Sequence, residues 1–151
     1  MAEKRIVSAG ELFALIYDDR AREFALIFAD ELDVPWLPLI DVELRVCSFV
    51  AALLQRAHIE RSRLLLALFS AADLTGSQWS EVRLVGCHFR KAVLRDAVFE
   101  NVVFDRCVLR GADTRGARFH NCVFKASQLV PHKTAELEAC VFVPGGPSAE
   151  H

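Results

Sequence analysis

The chain has 151 residues, of which 53% are hydrophobic and 25% charged; that is room for one ordinary domain and is too apolar for a disordered chain. Eighteen Lys and Arg against twenty Asp and Glu give a formal charge of -2 and a pI near 6.2, which excludes both the strongly basic field of a nonspecific nucleic-acid binder and the strongly acidic field of a DNA-mimicking surface. No apolar run approaches the roughly 18 residues that span a bilayer, and Gly10-Glu11 interrupts the first residues too early for a secretory core, so the expectation is a cytoplasmic protein with no membrane insertion and no direct nucleic-acid binding.

At the amino terminus, Ser8 and Glu11 have capping-box spacing and Leu12, Phe13, Leu15 and Ile16 follow as an apolar stripe, which predicts a short helix. The segment Phe13-Ala14-Leu15-Ile16 is echoed eleven residues later by Phe24-Ala25-Leu26-Ile27. Eleven residues is about three helical turns, and helix is the favoured reading, although two short strands fit the same echo. Pro35 and Pro38 close the segment, so residues 1–36 are expected to be a cap, mostly helical, over the edge of the next region. This segment carries four basic and eight acidic residues, a balance of -4.

From residue 37 the chain has a period of five. Every fifth position from Leu39 to Leu129 is large and apolar except Thr114, as in Leu39, Leu44, Phe49, Leu54, Ile59 and Leu64. Two places earlier in each unit stands a small or medium residue, as in Val42, Cys47, Ala52, Ala57 and Ser62. Two inward residues at spacing two are a strand's signature, yet neither a long strand nor a 3.6-residue helix keeps a period of five. The chain must therefore bend once per unit, as a solenoid does. The pattern breaks at Val130-Pro131-His132-Lys133-Thr134 and resumes at Leu137 and Phe142, which reads as a three-residue insertion near 131–134. Residues 144–151, rich in Pro and Gly, read as a flexible tail. Across 37–143, fourteen basic and eleven acidic residues give +3.

These units resemble the pentapeptide-repeat family, whose loose pattern is Ala-Asp/Asn-Leu-x-x. The nearest matches are Ala72-Asp73-Leu74-Thr75-Gly76 and Ala112-Asp113-Thr114-Arg115-Gly116. The resemblance covers residues 37–143 and implies an all-β solenoid: a right-handed, four-sided parallel β-helix in which residues twenty apart stack. It also implies one candidate function. Some members bind DNA gyrase and protect it from quinolones or toxins by imitating DNA, but those rods are acidic and this one is mildly basic, which disfavours that reading.

Chemistry-bearing residues mostly fall into the repeat. All five cysteines, Cys47, Cys87, Cys107, Cys122 and Cys140, occupy the small inward position, at gaps unlike a metal or redox motif, and are expected to pack as small hydrophobes in the reduced state. His58, His88 and His120 alternate outward. No phosphate-loop, dinucleotide, zinc-protease or nucleophile-elbow motif occurs. No enzyme, metal or cofactor is expected.

Three surfaces are candidates instead. Val46, Val50, Leu65, Leu66, Leu68 and Val85 are apolar at outward or corner positions, either an interaction surface or the landing site of the amino-terminal helix. Arg90, Lys91, Arg95, Arg110 and Arg115 form a basic set. Phe142 and Val143 in the last unit could mediate self-association. The expectation is a non-catalytic module that presents a rigid rod to a protein partner, with a homodimer possible.

Overall fold

The computed structural model describes residues 4–6, 8–18 and 22–145. Strand β1 (Lys4–Arg5) and helix α1 (Ala9–Ile16) lead into a parallel solenoid of about six turns. Numbered in chain order, two consecutive strands fall in each turn. Side one stacks β4 (Pro38–Ile40), β6 (His58–Glu60), β8 (Gln78–Ser80), β10 (Val98–Glu100), β12 (Arg118–His120) and β14 (Glu136–Glu138). Side two stacks β2 (Glu23–Ala25), β5 (Glu43–Arg45), β7 (Arg63–Leu65), β9 (Arg83–Val85), β11 (Val103–Asp105), β13 (Val123–Lys125) and β15 (Val141–Val143). Sides three and four are joined by single-residue bridges, Phe28↔Ser48↔Leu68↔His88↔Val108↔Gln128 and Asp33↔Leu53↔Asp73↔Val93↔Asp113. The expected four-sided β-helix with a stacking period of twenty is what the chain adopts.

Each side is one five-residue unit, and the corner is made by the backbone. From residue 26 to residue 126, every fifth residue, two places after an inward side chain, lies in the left-handed region: Val46 at φ 51°, Ala51 at 57°, Arg56 at 60° and Arg61 at 48° make four successive corners. Left-handed backbone costs a non-glycine residue roughly 1–2 kcal/mol. The rungs offset it, because the corner amides from residue 26 to residue 106 donate to a carbonyl of the rung above, as Leu66 N does to Val85 O at 2.8 Å.

Inside, the large residues form ladders. Phe49, Phe69 and Phe89 stack at 5.4 and 5.2 Å, Trp79, Phe99 and Phe119 at 5.4 and 4.9 Å, and Phe104, Phe124 and Phe142 at 4.6 and 4.8 Å. Buried polar groups are satisfied. Trp79 Nε1 donates to Ser77 Oγ at 2.9 Å, and the one polar residue in a large column, Thr114, is buried and accepts from the His132 amide at 2.8 Å.

Two expectations about the ends are corrected. The coil begins at residue 22, not 37: Phe24 pairs in register with Leu44, and Ala29, Leu32, Val34 and Leu37 are already buried. The helix stops at Ile16, and the echoed segment forms β2 and β3 (Ile27–Phe28), because Phe24 and Ile27 supply the alternating inward residues of a coil. The smaller Ala29 and Val34 at the large positions hide this in the sequence. Helix α1 sends Leu12 and Ile16 into the main cluster, as Ile6 does from the segment after β1, while β1 pairs with β3 as an added rung on side three. The expected insertion near 131–134 is the reverse. Phe119 pairs with Leu137, so that coil has two residues fewer than twenty, and Pro131, lacking an amide N–H, sits where a rung bond would otherwise be donated.

Candidate interaction face

Side three and its corners present successive rungs at 26–31, 46–51, 66–71, 86–91, 106–111 and 126–130. Bridge positions alternate outward by strand geometry, whereas corner residues are splayed from the rod by their left-handed backbone. The apolar candidates concentrate here. Val46, Leu66 and Leu68 are 42%, 56% and 36% exposed; Val50, and Leu65 and Val85 on the adjoining side two, are half-buried. Leu66 lies over Gly86, where an added Cβ would stand 2.8 Å from Leu66 Cδ2. Gly86 therefore serves both a left-handed corner and a close approach. Helix α1 buries Leu12 and Ile16 in the core cluster, and Val46, Leu66 and Leu68 remain exposed with the helix in place.

Val46 is the least economical choice at its position. A β-branched residue at φ 51° is strained, and its side chain is exposed as well.

The basic set divides. Arg90, Lys91 and Arg110 are exposed on side three and its corner, directly after the apolar rungs, and no ion pair involves them among the described residues. Arg95 and Arg115 belong to side four and converge on Asp113, at 2.6 and 3.6 Å. Partial burial would push the Asp113 carboxyl up, but the Arg95 hydrogen bond, the Arg115 amide and both guanidinium charges outweigh it and hold the group below the usual carboxylate range. The structure thus puts Val46, Val50, Leu66 and Leu68 on one face with three of the five basic residues, leaves Leu65 and Val85 on side two, and sets Arg95 and Arg115 aside in a local ion-pair cluster.

The third candidate, the last turn, is open. Phe142 and Val143 are 52% and 40% exposed beside exposed Leu137 and Val141. Phe142 stacks on Phe124 below it. The tail segment 146–151 lies outside the described residues.

Cys47, Cys87, Cys107 and Cys122 are buried and Cys140 half-buried, all as free thiols. Their sulfurs lie within reach of carbonyls two residues back and one rung below, as Cys122 Sγ does of Phe99 O at 3.3 Å. Burial pushes the Cys122 thiol up to about 12 and raises Cys47 as well; neighbouring Cys107, together with burial, raises Cys87. His58 and His120 lie near Glu60 and Glu138 at 3.4 and 3.9 Å, and His88 is exposed. No group of three or more metal-ligating side chains gathers among the described residues, and no helix there is long and apolar enough to cross a membrane. Sequence reasoning misses one exposed aromatic. Trp36, 62% exposed, is a corner residue with the Arg56 guanidinium 5.1 Å over its ring, and a reading that sets residues 1–36 apart as a cap gives it no corner to occupy.

The family model for pentapeptide repeats, in nine copies, matches residues 84–128. Residues 84–128 of this chain are thus a run of pentapeptide repeats. Among solved pentapeptide-repeat structures, a protein from the Arabidopsis thaliana thylakoid lumen is 31% identical over 53% of this chain and 56% of its own, with a TM-score of 0.51. The matched region thus spans little more than half of that relative. A trypsin-treated form of QnrB1, a plasmid-mediated fluoroquinolone resistance protein, is 15% identical over 99% of this chain and 94% of its own, with a TM-score of 0.48. HetL, a pentapeptide repeat protein involved in heterocyst differentiation regulation in the cyanobacterium Nostoc sp. strain PCC 7120, is 15% identical over 93% and 94%, with a TM-score of 0.40. No curated protein sequence matches the chain.

Proposed function

We propose that this pentapeptide-repeat protein is a non-catalytic protein-binding module of the cytoplasm, and that its working surface is side three. The observation that carries the reading is the exposed apolar strip of Val46, Leu66 and Leu68 running into Arg90, Lys91 and Arg110, which have no ion-pair partner among the described residues. A continuous apolar patch on a solvated rod is an interface signature, and a frame whose corners are tied rung to rung presents it without reorganisation. Five free thiols fit a reducing compartment. The open last turn, with Phe142 and Val143, is a second surface for association.

The gyrase-binding alternative implied by the family resemblance finds less support. Counted over the observed coil, residues 22–143 hold fifteen basic and fifteen acidic residues, a neutral rod in place of the +3 expected from residue 37. Side one carries Glu60 and Glu100, yet Arg61 bridges Asp41 at 2.8 Å and also pairs with Glu60, which breaks any acidic stripe. The test is capture from a lysate of the source cell with wild type and a folded Leu66→Glu/Leu68→Glu variant. A protein retained by wild type and lost with the variant supports the module. Identical captures reject side three as the working surface, and recovery of gyrase subunits by both would favour the alternative.

A further inference from the structure

On side three, charge inverts along the rod. The corner column reads Asp30, Val50, Ser70, Arg90 on four successive rungs, and the next column reads Glu31, Ala51, Ala71, Lys91. Within these four rungs acids stand on the first and bases on the fourth, with two uncharged rungs between; Arg5 on the added β1 rung before them and Arg110 on the rung after them lie outside the set. These four charged groups are exposed, and among the described residues none of them has an ion-pair partner. Asp30 Oδ1 accepts from the Val50 amide at 2.9 Å and from the Ser48 hydroxyl, which fixes that carboxylate at the surface.

We infer that the partner of side three is a second copy of this chain, lying antiparallel about a two-fold axis that runs across the face between the second and third rungs. The inference rests on the reading of side three as a protein-binding surface and names its occupant. Such an axis reverses rung order and leaves each column facing itself. Asp30 then faces Arg90, and Glu31 faces Lys91, twice over. Val46 faces Leu66 across the centre, and the small Ala51 and Ala71 at the adjoining corner let the two faces approach. A two-fold parallel to the rods would instead keep rungs level and exchange columns, so that neither acid meets a base.

The rungs repeat about every 4.8 Å, so a four-rung face is short and the interface falls in the small class, below about 1,200 Å² in total. The dimer is therefore a reversible one, weakened by salt.

Sedimentation velocity of the full chain, followed from micromolar to sub-millimolar concentration, tests this. Wild type should pass from monomer to dimer. Glu31→Lys and Lys91→Glu, each with native circular dichroism, should each raise the dimer dissociation constant at least about fivefold, because like charges then face each other at both ends of the interface. Mixed in equal amounts, the two variants should recover a dimer as tight as wild type. In that mixed dimer, position 31 of each copy again faces the opposite charge at position 91 of the other, in both contacts. Wild type remaining monomeric at sub-millimolar concentration overturns the inference, as does failure of the mixture to recover, or a dimer that Phe142→Asp dissolves and Lys91→Glu leaves intact. If wild type is monomeric while Leu66→Glu/Leu68→Glu still loses a captured protein, side three binds a different partner and only the identity of its occupant is wrong.

Discussion

Truncating two rings of the aromatic ladders, one central and one terminal, measures how the solenoid distributes its stability. Phe99 is fully buried, stacked between Trp79 at 5.4 Å and Phe119 at 4.9 Å, with Phe104 alongside at 5.4 Å. In-register strands hold the rungs on either side, Trp79↔Phe99↔Phe119, so the walls of a new cavity cannot close in. Phe99→Ala should therefore cost the full loss of a buried Phe truncation, about 3–5 kcal/mol and near the upper end. Phe142 stacks on Phe124 alone and is 52% exposed. About half of a side chain's transfer free energy is realised there and no enclosed cavity forms, so Phe142→Ala should cost about 1 kcal/mol. Urea unfolding followed by circular dichroism reads both, with m-values compared to confirm a common unfolded state. Equal losses for the two variants, or a loss under about 1 kcal/mol for Phe99→Ala, would refute the argument that each rung is held by its neighbours.

Val46→Asn relieves a strained left-handed corner at the expense of half-exposed apolar surface, and should stabilise the monomer by about 0.5–1 kcal/mol in the same urea assay while weakening self-association in sedimentation. A thiol reagent at about pH 8 should modify half-buried Cys140 first and leave buried Cys122, whose thiol is held at about 12, and Cys87 unmodified until denaturant is added; rapid labelling of Cys122 in the native protein would contradict its burial. Asp113 is depressed in the folded protein, so its contribution is present above the unfolded carboxylate value and is lost as pH falls through the folded one. Wild type should accordingly lose its stability advantage over Asp113→Asn on acidification below about pH 4; a difference that stays constant from about pH 7 to about pH 3 would show that the Arg95 and Arg115 contacts contribute nothing.

Most of the inside of this protein is legible in its sequence, and most of the outside is not. A period of five with two inward residues admits few conformations, so Leu39, Ile59, Trp79, Phe99 and Phe119 can be stacked from their spacing and the family's coil. The first coil escapes because its large positions hold Ala29 and Val34, which keep the period while losing the size signal. The shortened coil escapes because residue spacing alone cannot distinguish three extra residues on one side from two missing across a whole turn. Outward positions carry no such constraint. The apolar patch and the basic set are each visible as composition, but their union on side three, and the withdrawal of Arg95 and Arg115 into a cluster with Asp113, depend on which corner each residue occupies.

Total charge is the least informative of the sequence quantities, for a physical reason. Imitating or binding a polyanion requires one sign held along a surface, and a sum measures that directly. Self-complementarity about a two-fold requires the opposite: equal amounts of both signs, arranged so that reversing the rod exchanges them. Such a surface sums to nothing, and only the order of residues along each column reveals it. Chain position alone puts Asp30 and Glu31 in an acidic cap and Arg90 and Lys91 in a basic rod, so the two halves of the pattern are counted apart. The stacking period places them in the same two columns, three rungs distant, and turns a cancelling sum into a specific geometric demand on whatever covers side three.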